Sequence, residues 1–236
     1  MLQAALNGDR TKAAHPAVPL STEELARDAE ACAAAGAGSL HLHPRDAEGL
    51  ERLDPQVVDE VVGRVRAACG LPVGVSTGAW IEPDLERRLE LVGAWTAPDY
   101  ASVNLSEPGA AEIMDAVGGS GIGIEAGVWS VEDAERLAVS GLAHRATRIL
   151  VEPVDVSAAE AVRVVDGIHA ALDRLGLAAP RLQHGDGEAT WVILSDAVRR
   201  RLDTRIGLED TLEEPDGERT AGNEALVRAA RRLGAR

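Results

Sequence analysis

The stretch Ser39-Leu40-His41-Leu42-His43-Pro44-Arg45-Asp46 alternates apolar and polar side chains until Pro44, and there the alternation breaks. A period of two is the pattern of a strand. Leu40 and Leu42 therefore share one face, and His41 and His43 share the other. The leucine face suits a layer of helices, which leaves both imidazoles facing whatever interior the strand helps to enclose. Such a pair is either a hydrogen-bonded core pair or two ligands for one metal ion. Burying two imidazoles without partners is costly, and this pair lies at the end of its strand, so ligation is the better account.

The same grammar recurs along the chain. Short β-rich runs cover 2–7, 39–43, 72–76, 100–104, 121–125, 148–152, 181–184 and 204–209, and amphipathic runs cover 21–36, 55–69, 83–93, 108–117, 130–141, 157–176, 188–201 and 219–234. Ser21 and Glu24 have capping-box spacing, Asp54-Pro55 offers an N-cap with proline at the first helical position, and Gly70, Gly141 and Gly176 stand where helices should end. Eight βα units in 236 residues sit close to the lower size limit of a (β/α)8 TIM barrel, for which about 250 is typical. The expectation is one TIM-barrel domain over 1–236. An open doubly wound sheet is the runner-up, but eight regular units leave few strands unaccounted for.

Each strand run stops on a polar residue at its C-terminal end: Asn7, His43, Ser76, Asn104, Glu125, Glu152, His184 and Glu209. In a barrel these ends form the catalytic face. In Arg205-Ile206-Gly207-Leu208-Glu209 the parity turns Arg205 and Glu209 inward. Strands two and eight are both even-numbered, so His43 and Glu209 can meet at one height. Two imidazoles and a carboxylate leave an open position on a divalent ion, and Zn²⁺ suits that donor set best. His41, His43 and Glu209 are thus the candidate metal ligands. On an ideal strand Asp210 would point the other way, but the chain is turning there. His184 is open between ligand, substrate contact and loop residue, and Glu152 between substrate contact and salt bridge. The remaining histidines, His15, His144 and His169, read as structural.

Composition removes several classes of function. A formal net charge of −15 repels phosphate backbones, so nucleic-acid binding is not expected. Lys12 is the only lysine, which excludes Schiff-base chemistry elsewhere. There is no Phe and one Tyr, so the core must be aliphatic. Cys32 and Cys69 fall in helical runs and suggest no disulfide framework. No apolar run reaches membrane-spanning length, and the first residues lack the charged and apolar regions of a signal peptide. A soluble, cytoplasmic protein is the expectation.

The segments AALNGDRTK…HPAVPLSTEELA, AAGAGSLHLHPRDAEG, VSTG and RIGLED together resemble the β-keto acid cleavage enzymes, over nearly the whole chain. The resemblance implies a TIM barrel with one Zn²⁺, organised as a homo-oligomer (dimer or tetramer). It implies transfer between a β-keto acid and the co-substrate acetyl-CoA, giving acetoacetate and a shortened acyl-CoA. Carried onto this sequence, it makes His41, His43 and Glu209 the metal ligands. Arg205 and Asp210 become the pair beside them, with Asp210 as base. Ser76 falls in the S-T-G turn, Glu125 on strand five and Asn104 at a substrate-lining position. Asn7, Glu152 and His184 are candidate substrate contacts from their places at the strand ends, not from the resemblance. Glu125 would orient a ligand histidine or meet a substrate amine. The chain departs from the family pattern in its shorter loops, in STGAW where STGG is commoner, and in an acid near Gly8 for which Asp9 is the candidate. Other readings are a metal-dependent hydrolase, a metal aldolase that works without CoA, and a metabolite-binding barrel without catalysis. The hydrolases with His-x-His usually carry it on strand one, with further histidines on strands five and six.

Overall fold

In the computed structural model, which describes residues 1–236, eight parallel strands close into a barrel in chain order, the first pairing with the last. They are β1 (Leu2–Ala5), β2 (Ser39–Leu42), β3 (Val73–Ser76), β4 (Tyr100–Asn104), β5 (Gly123–Val128), β6 (Ala146–Val151), β7 (Arg181–Gln183) and β8 (Asp203–Ile206). A helix follows each strand: α1 (Thr22–Ala35), α2 (Pro55–Cys69), α3 (Leu85–Gly93), α4 (Ala110–Gly119), α5 (Val131–Ser140), α6 (Ala158–Arg174), α7 (Thr190–Arg200) and α8 (Asn223–Arg232). This is the (β/α)8 barrel that the alternation predicts. No helix is long and apolar enough to cross a membrane.

Local signals start and stop these elements much as the residues suggest. Ser21 accepts from the Glu24 amide while the Glu24 carboxylate accepts from the Ser21 amide, a complete capping box. Gly36, Gly70 and Gly141 end their helices in the left-handed region. Asp54 precedes Pro55 as expected, but its side chain caps nothing. The outward faces of the strands supply Leu40, Leu42, Val73, Val75, Ile149 and Ile206, which belong to one continuous apolar cluster with Val58, Val62 and Ile193 of the helices. Burying each such side chain contributes roughly 1.5–3 kcal/mol, and the layer needs no aromatic residue beyond Trp95. Gly207 marks the tightest strand approach: a Cβ there would lie 1.8 Å from the Ala5 carbonyl oxygen.

Two strands differ from expectation in ways that matter for the site. The fifth begins at Gly123 and runs on to Val128, because its register on β4 pairs Tyr100 with Gly123 and Asn104 with Gly127. Glu125 is therefore a mid-strand residue, and Gly127 is the last inward position of that strand. The eighth ends early, at Ile206. The amides of Asp210 and Thr211 then bond back to the Gly207 carbonyl at 2.9 and 3.0 Å. That turn carries Glu209 and Asp210 over the barrel mouth together, which strand parity alone would forbid.

Candidate active site

His41 and His43 project from the end of β2 into the barrel, almost fully buried. Their rings lie edge to face with centroids 5.4 Å apart. Across the mouth, Glu209 Oε1 is 3.7 Å from His41 Nε2 and 3.6 Å from His43 Nε2. One donor atom from each residue falls within 4.8 Å of the others.

The surroundings set the state of each ligand. Asn7 grips the backbone of His43 with both ends of its amide, donating to the carbonyl and accepting from the N–H, each at 2.9 Å. The loop after β2 folds back as a small hairpin in which Arg45 opposes Glu51. Asp46 Oδ1 accepts from the amides of Glu48 and Leu50 to shape its tip. Arg45 locks the hairpin down, donating to the carbonyls of Gly49, Gly8 and Arg10. This brings the Glu51 carboxylate onto His43 Nδ1 and turns Nε2 toward the mouth. Against the effect of burial, the carboxylates of Glu209 and Glu51 raise the ring to about 9, so an ion bound there would displace its Nε2 proton. Trp80 stacks on His43 with centroids 6.0 Å apart and donates its Nε1–H to Glu51 at 3.3 Å.

Arg205 stands beside the cluster, with Nη2 at 2.7 Å from Glu209 and 2.6 Å from Asp210. Arg205, then the two histidines, hold the Glu209 carboxyl well below the usual range against the effect of burial. Burial pushes the Asp210 carboxyl up, and the carboxylates of Glu209 and Glu152 add to it, against the pull of Arg205. Burial lowers His41 to about 3, so it is neutral at pH 7 and available as a ligand.

The residues fit a divalent ion. Two imidazole nitrogens and a carboxylate converge without hydrogen-bonding one another, and Glu209 Oε2 and His41 Nδ1 are buried with no partner. A donor set of two histidines and one acid is a known zinc arrangement with room for a further ligand. The cavity in front of it has a volume of about 300 Å³, and its walls include Ser76, Asn104, Trp129, Glu152, Asp186, Arg205 and Asp210. A larger cavity of about 700 Å³ lies between the start of α1 and the β2 hairpin. Its lining includes Glu23, Glu24, Asp46, Glu48 and Glu60 but no histidine, so the chemistry belongs to the smaller one.

Of the residues singled out by sequence, the structure brings His41, His43, Glu209, Arg205, Asp210, Ser76, Asn104 and Glu152 to this one cavity. Ser76 Oγ accepts from the Gly78 amide at 3.2 Å, and Asn104 Nδ2 donates to Glu107 at 2.6 Å. Trp129 Nε1 donates to Glu152 at 3.1 Å, and burial raises the Glu152 carboxyl to about 7. Three expectations are corrected. Glu125 is not at the mouth; mid-strand, it pairs with Arg148 at 2.6 Å and accepts from Gln3 at 2.9 Å, deep inside the barrel. Asn7 is a positioning residue whose amide is taken up by the His43 backbone, and it is fully buried. His184 is also fully buried behind the wall, 3.6 Å from Glu152 and 3.9 Å from Asp210. Glu51 does what Glu125 was expected to do. Its signal was its place in the loop directly after the histidine strand, where a ligand imidazole needs an acceptor. Asp9 and Asp186 line the cavity as well.

A closed parallel barrel with its polar constellation at the C-terminal mouth defines the TIM-barrel enzymes. The chain belongs to the β-keto acid cleavage enzyme family, whose model it matches over residues 1–236. It is 37% identical over 90 residues to a 3-keto-5-aminohexanoate cleavage enzyme of Fusobacterium nucleatum, a match covering 37% of this chain and 33% of that one. It is 30% identical over 96 residues to a 3,5-dioxohexanoate:acetyl-CoA acetone transferase of Paraburkholderia graminis, covering 40% and 31%. The matched segments thus span about a third of these curated relatives. Among solved structures, ObcA in a ternary complex with a C4-CoA adduct and oxalate superposes with a TM-score of 0.72 at 16% identity, over 92% of this chain and 63% of that one. The N-acetylmannosamine-6-phosphate 2-epimerase of Clostridium perfringens gives 0.60 at 11% identity, over 89% and 87%. Both share the fold.

Proposed function

We propose that this chain is a zinc-dependent β-keto acid cleavage enzyme that uses acetyl-CoA as co-substrate, releasing acetoacetate and an acyl-CoA. The observation that carries the reading is the juxtaposition of the His41–His43–Glu209 cluster with the Arg205–Asp210 pair at one cavity. A divalent ion in that cluster supplies Lewis-acid polarisation of the substrate's keto oxygen. Asp210 takes the α-proton; its raised pKa suits a base working near neutrality. Arg205 orients Asp210 and offers its remaining N–H groups to a substrate carboxylate. The α-carbon then attacks the acetyl thioester carbonyl, and the CoA thiolate departs. That thiolate adds to the original keto carbon, the adjacent C–C bond breaks, and the proton returns to the acetoacetate carbon. In this reading Ser76 Oγ and Asn104 Nδ2 donate to the oxyanions that develop, which their lining of the same cavity supports. On the same reading the enzyme is a cytoplasmic homo-oligomer.

The deciding assay follows acetoacetate with and without acetyl-CoA across a panel of β-keto acids. Product that needs acetyl-CoA supports the transferase; cleavage that ignores it indicates an aldolase or hydrolase instead. Asp210→Asn should lower kcat by about 10²–10⁴-fold, the usual worth of a general base, with metal content unchanged.

A further inference from the structure

Ser76 and Asn104 end two paired strands, β3 and β4, and line one cavity. Beyond them the chain enters loops, and a single carboxylate joins the two loops. Glu107 Oε1 accepts from Asn104 Nδ2 at 2.6 Å. Glu107 Oε2 accepts from the Ala79 amide at 2.7 Å, in the turn that runs on from Ser76. The Glu107 amide also donates to the Asn104 carbonyl at 3.1 Å, so one residue grips Asn104 by both side chain and backbone. Behind it Arg88 of α3, 2% exposed, donates to Glu107 Oε2 at 3.3 Å and to the Pro108 carbonyl at 2.6 Å. Glu107 itself does not line the cavity.

A buried ion pair would account for Glu107 if its shortest bonds went to Arg88. They go instead to Asn104 and Ala79, and Arg88 is the longer contact. The chemistry of the acceptor adds to the distances. An ionised carboxylate can only accept, so it takes the nitrogen end of the Asn104 amide and refuses the oxygen end. That nitrogen carries two hydrogens; Glu107 uses one and leaves the other for the cavity. Gly127 gives the oxygen end its room, since a Cβ there would lie 2.5 Å from Asn104 Oδ1. An amide turned the other way would present its oxygen to a developing negative charge and repel where a donor should stabilise. We propose that Glu107 is a positioning residue for the cleavage reaction: it holds an Asn104 N–H toward the substrate oxyanion and ties that donor to the Ser76 turn. The proposal rests on the β-keto acid reading of the same cavity.

The test compares Glu107→Gln, Asn104→Ala and the double variant, as zinc-loaded full chains, on a β-keto acid that the parent cleaves with acetyl-CoA. A glutamine keeps the length of the side chain but offers Asn104 a donor as well as an acceptor, so either end of the amide can face it. Glu107→Gln should lower kcat by about tenfold or more, up to the roughly 10²–10³-fold that a lost oxyanion donor costs, with KM and zinc content close to parental. In the Asn104→Ala background the same change should cost less than about threefold, because the residue it acts through is gone. Equal losses in both backgrounds would make Glu107 merely structural and overturn the proposal, as would a parental kcat in Glu107→Gln. If a variant fails to fold, NMR of the side-chain amides decides on the unsubstituted protein. One Asn104 Nδ2 proton shifted downfield and protected from exchange supports the grip; two ordinary, freely exchanging protons overturn it. A parent that cleaves no β-keto acid removes the reading and the proposal together, whereas cleavage untouched by Glu107→Gln removes the proposal alone.

Discussion

The mouth of the barrel and the layer beneath it both bury ionisable groups, and they arrange them oppositely. Beneath, Glu125 and Arg148 are matched one to one at 2.6 Å, Gln3 donates to the acid, and the Tyr100 ring lies 5.0 Å from the guanidinium carbon. None of Gln3, Glu125 and Arg148 lines the cavity. At the mouth, Glu209 Oε1 lies 3.7 and 3.6 Å from the Nε2 atoms of His41 and His43 without bonding to either, beside open volume. A matched pair fills the barrel and fixes its register. An unmatched donor set holds its geometry only because Asn7, Glu51 and Arg205 impose it from outside. The difference separates structure from chemistry among residues of the same type on neighbouring strands.

The largest expected effect breaks the mouth. Purified parent protein should carry about one zinc per chain, and His41→Ala or His43→Ala should lose it, since an open site with two protein ligands binds weakly. Elemental analysis after dialysis checks this, with circular dichroism to show that the barrel persists. Variants that keep zinc at the parental level would remove the ligand assignment and the contrast with it.

The lower layer should fail in the other way. Glu125→Ala strands the Arg148 charge inside the barrel, and breaking one side of a buried pair costs roughly 3–5 kcal/mol. Denaturant unfolding should show that loss while the surviving folded protein retains its metal. Metal loss at full stability would instead put Glu125 in the site after all.

A subtler change sharpens the mouth itself. Glu51→Gln keeps the shape of the side chain but removes the charge that orients His43. Such partners of ligand histidines are worth about 10–100-fold in metal affinity. Competition with a chromophoric chelator measures it. An unchanged affinity would mean that Asn7 and Trp80 suffice to hold the imidazole.

These contrasts also mark what the residue string reveals. Alternation in SLHLH and the repeated βα period carry the barrel, because strand and helix periods are local properties. Parity carries His41, His43 and Arg205, because a strand allows only two faces; the same rule reaches Glu209, but that residue lies in the turn beyond the end of β8. Glu125 was misplaced because the strand's start depends on pairing with Tyr100–Asn104, a contact between chain segments about 20 residues apart. Glu51 and Asp186 lie in loops whose course is set by partners elsewhere in the fold: Arg45 reaching the Gly8 and Arg10 carbonyls, and the Gly187 amide bonding to the Asp210 carbonyl. No short-range pattern encodes those. Asp210 was readable only as a residue near a turn; the turn's two bonds to Gly207 decide that it faces inward.

The smallest effect lies on the outer side of β7, back to back with His184. His169 of α6 is nearly buried. Its Nε2 meets Gln183 Oε1 at 2.7 Å, and Nδ1 meets Arg181 Nη1 at 3.0 Å. An arginine can only donate, so Nδ1 must accept and the ring must be neutral, with its proton on Nε2. Burial first, and Arg181 and Arg200 after it, hold the His169 pKa below its ordinary value, while the Gln183 bond and Asp173 pull it back up. Below about 6.5, the ordinary value of a free histidine, the unfolded chain takes up a proton that the folded chain refuses. Stability is therefore complete above that pH and falls as pH drops toward the folded value, with a slope of at most about 1.4 kcal/mol per unit from this group. His169→Gln removes the titration, so its unfolding free energy should vary less between about pH 6.5 and 5 than that of the parent, although it is lower at pH 7. Equal slopes in the two proteins would show that the Arg181–His169–Gln183 chain opens in solution, leaving the neutral clamp on β7 without a role in seating His184 behind the cavity wall.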